Sequence, residues 1–209
     1  MTNSPQPSRT SKSLKPTNLL KNTADRGWLI LIVGPSGVGK DSLIDGARDD
    51  LWGDRSFDFA IRDINRPQAA GGEAHRAVTD EAFAALEAAG GYALSWRAHG
   101  LSYGIPKAYE ETLSRGTCVV ANVSRTVIPL ARELYHPLAI IKISAPEDLL
   151  RQRLMARGRE DEADIEGRIK RAGEFDVSGK DVVDLSNDSP LEIGIARLVE
   201  ILRSLVRAE

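Results

Sequence analysis

The sequence predicts an α/β fold of three layers, a mainly parallel sheet between two sets of helices, as a single domain over residues 26–209. Three observations carry this. Apolar runs at residues 28–33, 117–123 and 138–144 have strand length and lack the polar alternation of a sheet with one wet face. Helical patterns separate these runs, so successive strands are joined by crossovers and lie parallel. A glycine-rich turn follows the first run directly, at a strand–turn–helix junction.

That turn consists of Gly34, Pro35, Ser36, Gly37, Val38, Gly39, Lys40, Asp41 and Ser42 and completes the pattern G-x-x-x-x-G-K. Glycine allows backbone N–H groups to converge on phosphate oxygens. Lys40 supplies a mobile charge for β- and γ-phosphates, and a helix over about 40–50 presents its N-terminus to the anion. A nucleoside triphosphate is the expected ligand, with Mg²⁺. The position after the lysine, usually Ser or Thr, is Asp41. Two readings fit it: a direct Mg²⁺ ligand through a hard carboxylate oxygen, or a first-turn helix acid while Ser42 or water serves the metal.

Further along, residues 57–61 read as a strand ending in Arg62-Asp63, and 65–74 as a loop. Thr79 is an N-cap for a helix to about 89. Residues 92–98 are strand-like, 100–104 a turn, and Pro106 starts a helix ending near Gly116. After the strand at 117–123 comes a helix to about 135. Ser144 and Glu147 stand at capping-box spacing, with Leu149, Leu150 and Leu154 as the core face of the helix that follows. Residues 157–174 are highly charged and helical, a candidate lid. Residues 182–185 form a short strand. In the last helix Ser189 is the N-cap, Pro190 opens the first turn, and Leu191, Ile195, Leu198, Leu202 and Leu205 face the core.

Composition narrows the partners. A formal net charge of −2 supplies no basic field for nucleic acid. No run approaches the ~18 apolar residues that span a membrane. The single cysteine, Cys118, lies in an apolar run and reads as a buried structural thiol in a cytoplasmic protein. Residues 1–25, rich in Ser, Thr, Asn, Pro and Lys, read as a disordered tail outside the fold. His75, His99 and His136 show no metal-ligand spacing. Oligomeric state stays open, with a homodimer among the options.

Several pieces then resemble the guanylate-kinase-like P-loop kinases in order and spacing: Arg66-Pro67, Gly72-Glu73, Gly100 to Gly104 with Tyr103, Arg153 with Arg157-Gly158, and Asn187-Asp188. Within that group, GPSGVGKDSL, INRP, ALSWRAHGLSYG and RQRLMARGRE are similar to the ribose 1,5-bisphosphate phosphokinases of phosphonate utilisation. The resemblance implies a P-loop kinase fold with an acceptor-binding insertion at about 60–105 and a helical lid at about 157–174. It implies transfer of the γ-phosphoryl of ATP to the 1-phosphate of ribose 1,5-bisphosphate, giving 5-phosphoribosyl 1-diphosphate.

By the same resemblance Arg66 and Tyr103 hold the acceptor phosphate, Arg157 and Arg168 close over the transferring group, and Asn187 contacts adenine. Guanylate kinases carry a base-recognising carboxylate in the strand at 92–96, aspartates at Asn122 and Ser124, and a second arginine at Ala69; this chain has none of them. Ser95, Asn122, Ser124 and Arg125 instead offer hydroxyl, amide and cationic partners to a sugar phosphate. Asp63 has two readings, a holder of metal-bound water or a ribose hydroxyl, or a loop cap. Trp96 reads as core. The alternatives are a guanylate kinase and a catalytically inactive protein-binding module.

Overall fold

The computed structural model describes residues 26–67, 74–157, 162–173 and 177–207. In chain order its strands are β1 (Leu29–Val33), β2 (Phe57–Phe59), β3 (Arg62–Ile64), β4 (His75–Ala77), β5 (Tyr92–Ala98), β6 (Leu101–Pro106), β7 (Cys118–Asn122), β8 (Leu138–Ser144) and β9 (Val182–Ser186). The helices are α1 (Lys40–Asp50), α2 (Asp80–Ala88), α3 (Tyr109–Ser114), α4 (Ile128–Leu134), α5 (Glu147–Arg157), α6 (Glu162–Gly173) and α7 (Leu191–Arg207), with a 3-10 turn at Arg125–Val127 before α4.

Strands β2, β7, β1, β8 and β9 form, in that order, a parallel sheet with β1 at its centre. Every residue of β1 is buried, because helices cover both faces. Leu29, Leu31 and Val33 pack towards Leu113 of α3 and Ile128 and Ala131 of α4. Ile30 and Ile32 pack towards Leu43 and Ala47 of α1 and Leu198 and Leu202 of α7. Each such fully buried aliphatic side chain contributes about 1.5–3 kcal/mol. Cys118 is buried and its sulfur accepts from the Trp28 backbone N–H at 3.3 Å.

A second sheet, in the order β4, β3, β6, β5, stands beside the C-terminal ends of the first. This corrects two expectations. The segment at 57–63 is two strands in two sheets: β2 pairs with β7, whereas β3 pairs with β4 and β6. The expected turn at 100–104 is strand β6, paired antiparallel to β5, and the reversal occurs at His99 and Gly100. Their φ angles of 53° and 74° are the left-handed pair a two-residue hairpin demands. Pro106 ends β6, and α3 begins only at Tyr109.

Other expectations shift in detail. Thr79 caps α2 as its hydroxyl oxygen accepts from Ala82 N–H at 3.1 Å. Ser189 instead donates its hydroxyl to Asp188 Oδ1 at 2.9 Å. Leu191 is 46% exposed, so the core face of α7 starts one turn later, at Ile195. Leu150 and Leu154 of α5 close a small separate core with Ile165 and Ile169 of α6. Among the described residues no helix is long and apolar enough to cross a membrane. The N-terminal stretch 1–25 and the sequence markers Ala69, Gly72 and Glu73 lie outside the described residues.

Candidate active site

Strands β1, β7, β8 and β9 all point their C-terminal ends to one edge, where ligands bind in open α/β sheets. The glycine-rich loop leaves β1 at that edge. Gly37 and Gly39 adopt φ of 89° and 93°, which side chains disfavour. A Cβ on Gly39 would also stand 2.6 Å from Asn187 Nδ2, and one on Gly37 2.8 Å from a Leu154 methyl. The loop is therefore fixed from beneath. Asn187, at the end of β9, is buried and donates Nδ2–H to Val38 O at 2.7 Å, while Arg153 Nη1 donates to the same carbonyl at 3.3 Å. These two donors hold the Val38 carbonyl, while the Val38 N–H turns back to Pro35 O at 3.4 Å, so the loop backbone is set before any ligand binds.

Lys40 Nζ folds back and donates to Gly34 O and Pro35 O at 2.7 and 2.9 Å. Arg168, from α6, donates Nη1–H to Ser36 Oγ at 2.7 Å, bringing the second helix of the charged pair onto the loop. Gly34, Pro35, Ser36, Lys40, Asp41 and Arg168 line one end of a cavity of about 400 Å³. Asp41 is exposed there, and its Oδ1 accepts from Asn122 Nδ2–H at 2.9 Å. Its hard oxygens are of the kind Mg²⁺ takes, so the donor set fits that ion. Ser42 is exposed on α1, outside the cavity lining.

The other end is walled by the second sheet. Trp96 and Tyr103, opposite each other on β5 and β6, stack with ring centroids 5.3 Å apart and planes 5° from parallel. Trp96 is at once core and cavity wall. Arg62 of β3 places its guanidinium carbon 5.9 Å from the Trp96 ring and 5.6 Å from that of Tyr103. Its Nη1–H donates to the Asn122 carbonyl at 2.9 Å. Arg62 is 7% exposed, and burial lowers its pKa from the ordinary guanidinium value to about 10, partly offset by the Asp41 carboxylate. It stays a cation at neutral pH. Ser124 sits beside this wall, its Oγ accepting from Thr126 Oγ1–H at 3.0 Å and Thr126 N–H at 3.4 Å, so its own proton can serve a ligand.

Thus Lys40, Asp41, Tyr103, Asn122, Ser124 and Arg168 share one cavity. Of the expected site residues, Ser95, Asn187 and Arg66 stand outside this lining. Ser95 points to α2, where its hydroxyl donates to Glu87 Oε1 at 2.6 Å beside the Glu87–Arg97 ion pair, so side-chain alternation along β5 takes it off the Trp96 face. Asn187 lies beneath the loop, its amide bonded to the Val38 carbonyl. Arg66 lines a neighbouring depression with Asn65 and Thr79, and its Nε and Nη2 are buried with no partner among the described residues. The Arg157 side chain lies outside the described residues.

Asp63 takes neither expected role. Fully buried, it receives Arg76 Nε at 2.6 Å and Nη2 at 2.5 Å and the Tyr92 hydroxyl at 3.0 Å, tying β3, β4 and β5 together. Sequence reasoning missed Arg62. The available signal was a cation inside a strand whose alternate partner, Ile64, is apolar.

No family model matches the chain. It is 42% identical over 169 residues to the ribose 1,5-bisphosphate phosphokinase PhnN of Brucella melitensis, covering 81% of this chain and 87% of that relative. To the PhnN of Pseudomonas fluorescens it is 43% identical over 178 residues, covering 83% and 93%. It also matches, at 42% identity over 180 residues and 86% of its length, a bifunctional ribose 1,5-bisphosphokinase-thymidine phosphorylase of Cupriavidus pinatubonensis, of whose length it spans only 30%. Among solved structures, guanylate kinase from Anaplasma phagocytophilum aligns with TM-score 0.60 at 18% identity, covering 87% of both chains, which fixes the fold alone as that of a P-loop kinase. With this fold, a complete G-x-x-x-x-G-K loop and full-length relatives of such identity, the chain belongs to the ribose 1,5-bisphosphate phosphokinase family.

Proposed function

We propose that the protein transfers the γ-phosphoryl group of ATP to the 1-phosphate of ribose 1,5-bisphosphate, releasing ADP and 5-phosphoribosyl 1-diphosphate. An oxygen of the acceptor's 1-phosphate forms the new bond to γ-phosphorus as the bond from γ-phosphorus to the β,γ-bridging oxygen breaks. The acceptor oxygen is already anionic, so no general base is needed, and catalysis is positioning and charge neutralisation. The observation that carries this reading is the charge of the one continuous cavity. Lys40, Arg62, Arg125 and Arg168 line it and, among the described residues, Asp41 is the one carboxylate set against them. That balance suits an anionic donor meeting a doubly phosphorylated acceptor.

In this reading Lys40 leaves the loop carbonyls for the β- and γ-phosphates, and Arg168, with Arg157, spreads the charge of the loose transition state. Asp41 is the residue that would hold Mg²⁺, which would neutralise negative charge on the transferring phosphates. Tyr103 and Ser124 supply hydroxyls to the acceptor. Arg66, two of whose nitrogens are buried with no partner among the described residues, serves the acceptor phosphate, which would satisfy them. Asn187 and Arg153 shape the loop instead of contacting the base.

The test is a phosphotransfer assay with Mg-ATP and a panel of acceptors: ribose 1,5-bisphosphate, GMP and other nucleoside monophosphates. Turnover of the bisphosphate is expected, with kcat/KM at least about 100-fold above that for GMP. Preferred turnover of GMP would replace this reading with a guanylate kinase. Folded protein with no turnover of any acceptor would point to a binding module.

A further inference from the structure

We infer that Arg62 is the specificity residue for the second, non-transferred phosphate of the acceptor, the 5-phosphate, gripping it at the wall of the cavity away from the glycine-rich loop. The inference rests on the function proposed above. Transfer needs the reacting phosphate at the loop, because Lys40 and Arg168 stand there and the γ-phosphate must meet it in line. Those two cations belong to the donor. Two more, Arg62 and Arg125, line the same cavity on the side of Trp96 and Ser124, and the cavity's carboxylate, Asp41, is already engaged by Asn122. A mononucleotide acceptor would bring a neutral base to that wall. A buried guanidinium suits a second phosphate instead, offering parallel N–H donors to its oxygens.

The geometry makes Arg62 a fixed device. Its Nη1–H is anchored on the Asn122 carbonyl, and the Trp96–Tyr103 pair walls the guanidinium on the second sheet. The fork is therefore held before the ligand arrives, which lowers the entropic cost of binding. Arg66 lies near enough for like-charge repulsion, which an anion entering the cavity relieves.

The experiment compares acceptor fragments on the same protein preparation. Inhibition constants of ribose 5-phosphate and ribose 1-phosphate against ribose 1,5-bisphosphate are measured for the wild type, Arg62→Gln and Arg62→Lys. Ligand-induced shifts of the melting temperature give a readout independent of turnover. Arg62→Gln is expected to weaken ribose 5-phosphate about 10- to 150-fold, the cost of losing hydrogen bonds from a charged donor, and ribose 1-phosphate less than about 3-fold. Arg62→Lys, which keeps charge without the fork, is expected to fall between. The ratio of the two constants is unaffected by the fraction of protein that folds. Equal loss for both fragments, or a loss confined to ribose 1-phosphate, overturns the inference. A wild type that fails to turn over ribose 1,5-bisphosphate overturns the underlying function instead.

Discussion

The two ends of the cavity are built by different means. The donor end is one continuous stretch, residues 34–42, and works largely through backbone: Val38 is fully buried and takes part only by its peptide groups. The acceptor wall is assembled from residues remote in sequence, Arg62, Trp96, Tyr103 and Ser124, carried by β3, β5, β6 and the turn after β7. It works through side chains. A backbone cradle tolerates little change, because two of its glycines hold left-handed φ and close contacts. A side-chain wall can change its ligand by a few substitutions while the sheet beneath is kept. On the proposed function, that difference lets a guanylate kinase fold carry a different acceptor site.

The largest expected effect tests whether the two ends are separable. Lys40→Ala removes the mobile cation together with its bonds to the loop carbonyls of Gly34 and Pro35. The chain should fold with an unchanged circular dichroism spectrum, while kcat falls by about 10²- to 10³-fold, the scale of losing one transition-state charge partner. Acceptor affinity, measured by calorimetry with ribose 1,5-bisphosphate, should stay within about twofold. An equal collapse of acceptor binding would merge the two ends into one site.

The same division explains what was legible in the sequence. Contiguous information survived: β1, α1, β5, β8 and the whole glycine-rich loop stand where periodicity and motif predicted them. The second sheet was misread where pairing overrode local signals. Gly100 and Gly104 suggest one turn, yet Gly104 sits in β6 opposite Ser95 because the ladder to β5 supplies backbone partners. The stretch at 57–61 reads as one strand ending in Arg62-Asp63, but Ala60 and Ile61 carry the chain from one sheet to the other. Ser95 and Asn187 show the limit for site residues. Their types suit ligand binding, and only strand alternation and the depth of the β9 end decide that they face Glu87 and Val38. Arg62 was missed for the converse reason, since a strand cation ordinarily faces water.

A second prediction concerns stability at the acceptor wall. Holding Arg62 charged at a pKa lowered to about 10 costs the fold on the order of 3 kcal/mol at neutral pH. Arg62→Met removes that cost, loses the bond to the Asn122 carbonyl (about 1 kcal/mol) and keeps apolar contact with Trp96 and Tyr103. The melting temperature without ligand should therefore rise by about 4–8 °C. The sign with pH follows from the depressed value. The unfolded chain binds more protons than the folded one above about 10, so wild-type stability gains with rising pH there and the advantage of the variant narrows. A lower melting temperature at neutral pH would mean that Arg62 is a structural cation, with no strain stored for a ligand.

The smallest effect lies where the two ends meet. Asn122 sends its side chain to Asp41 at the donor end and its carbonyl to Arg62 at the acceptor wall. Asn122→Ala deletes the first bond and keeps the second, because the carbonyl belongs to the backbone. If the amide holds Asp41 towards the metal, the Mg²⁺ concentration for half-maximal rate should rise about 2- to 10-fold, while the KM for the acceptor moves less than twofold. If the amide instead serves a ribose hydroxyl, the pattern reverses, with the acceptor KM rising and the Mg²⁺ requirement unchanged. The position of Asn122 at the parallel-sheet edge, paired to Ile32 just before the loop, favours the first outcome, for it makes the residue part of the donor's frame even though its carbonyl anchors the acceptor's cation.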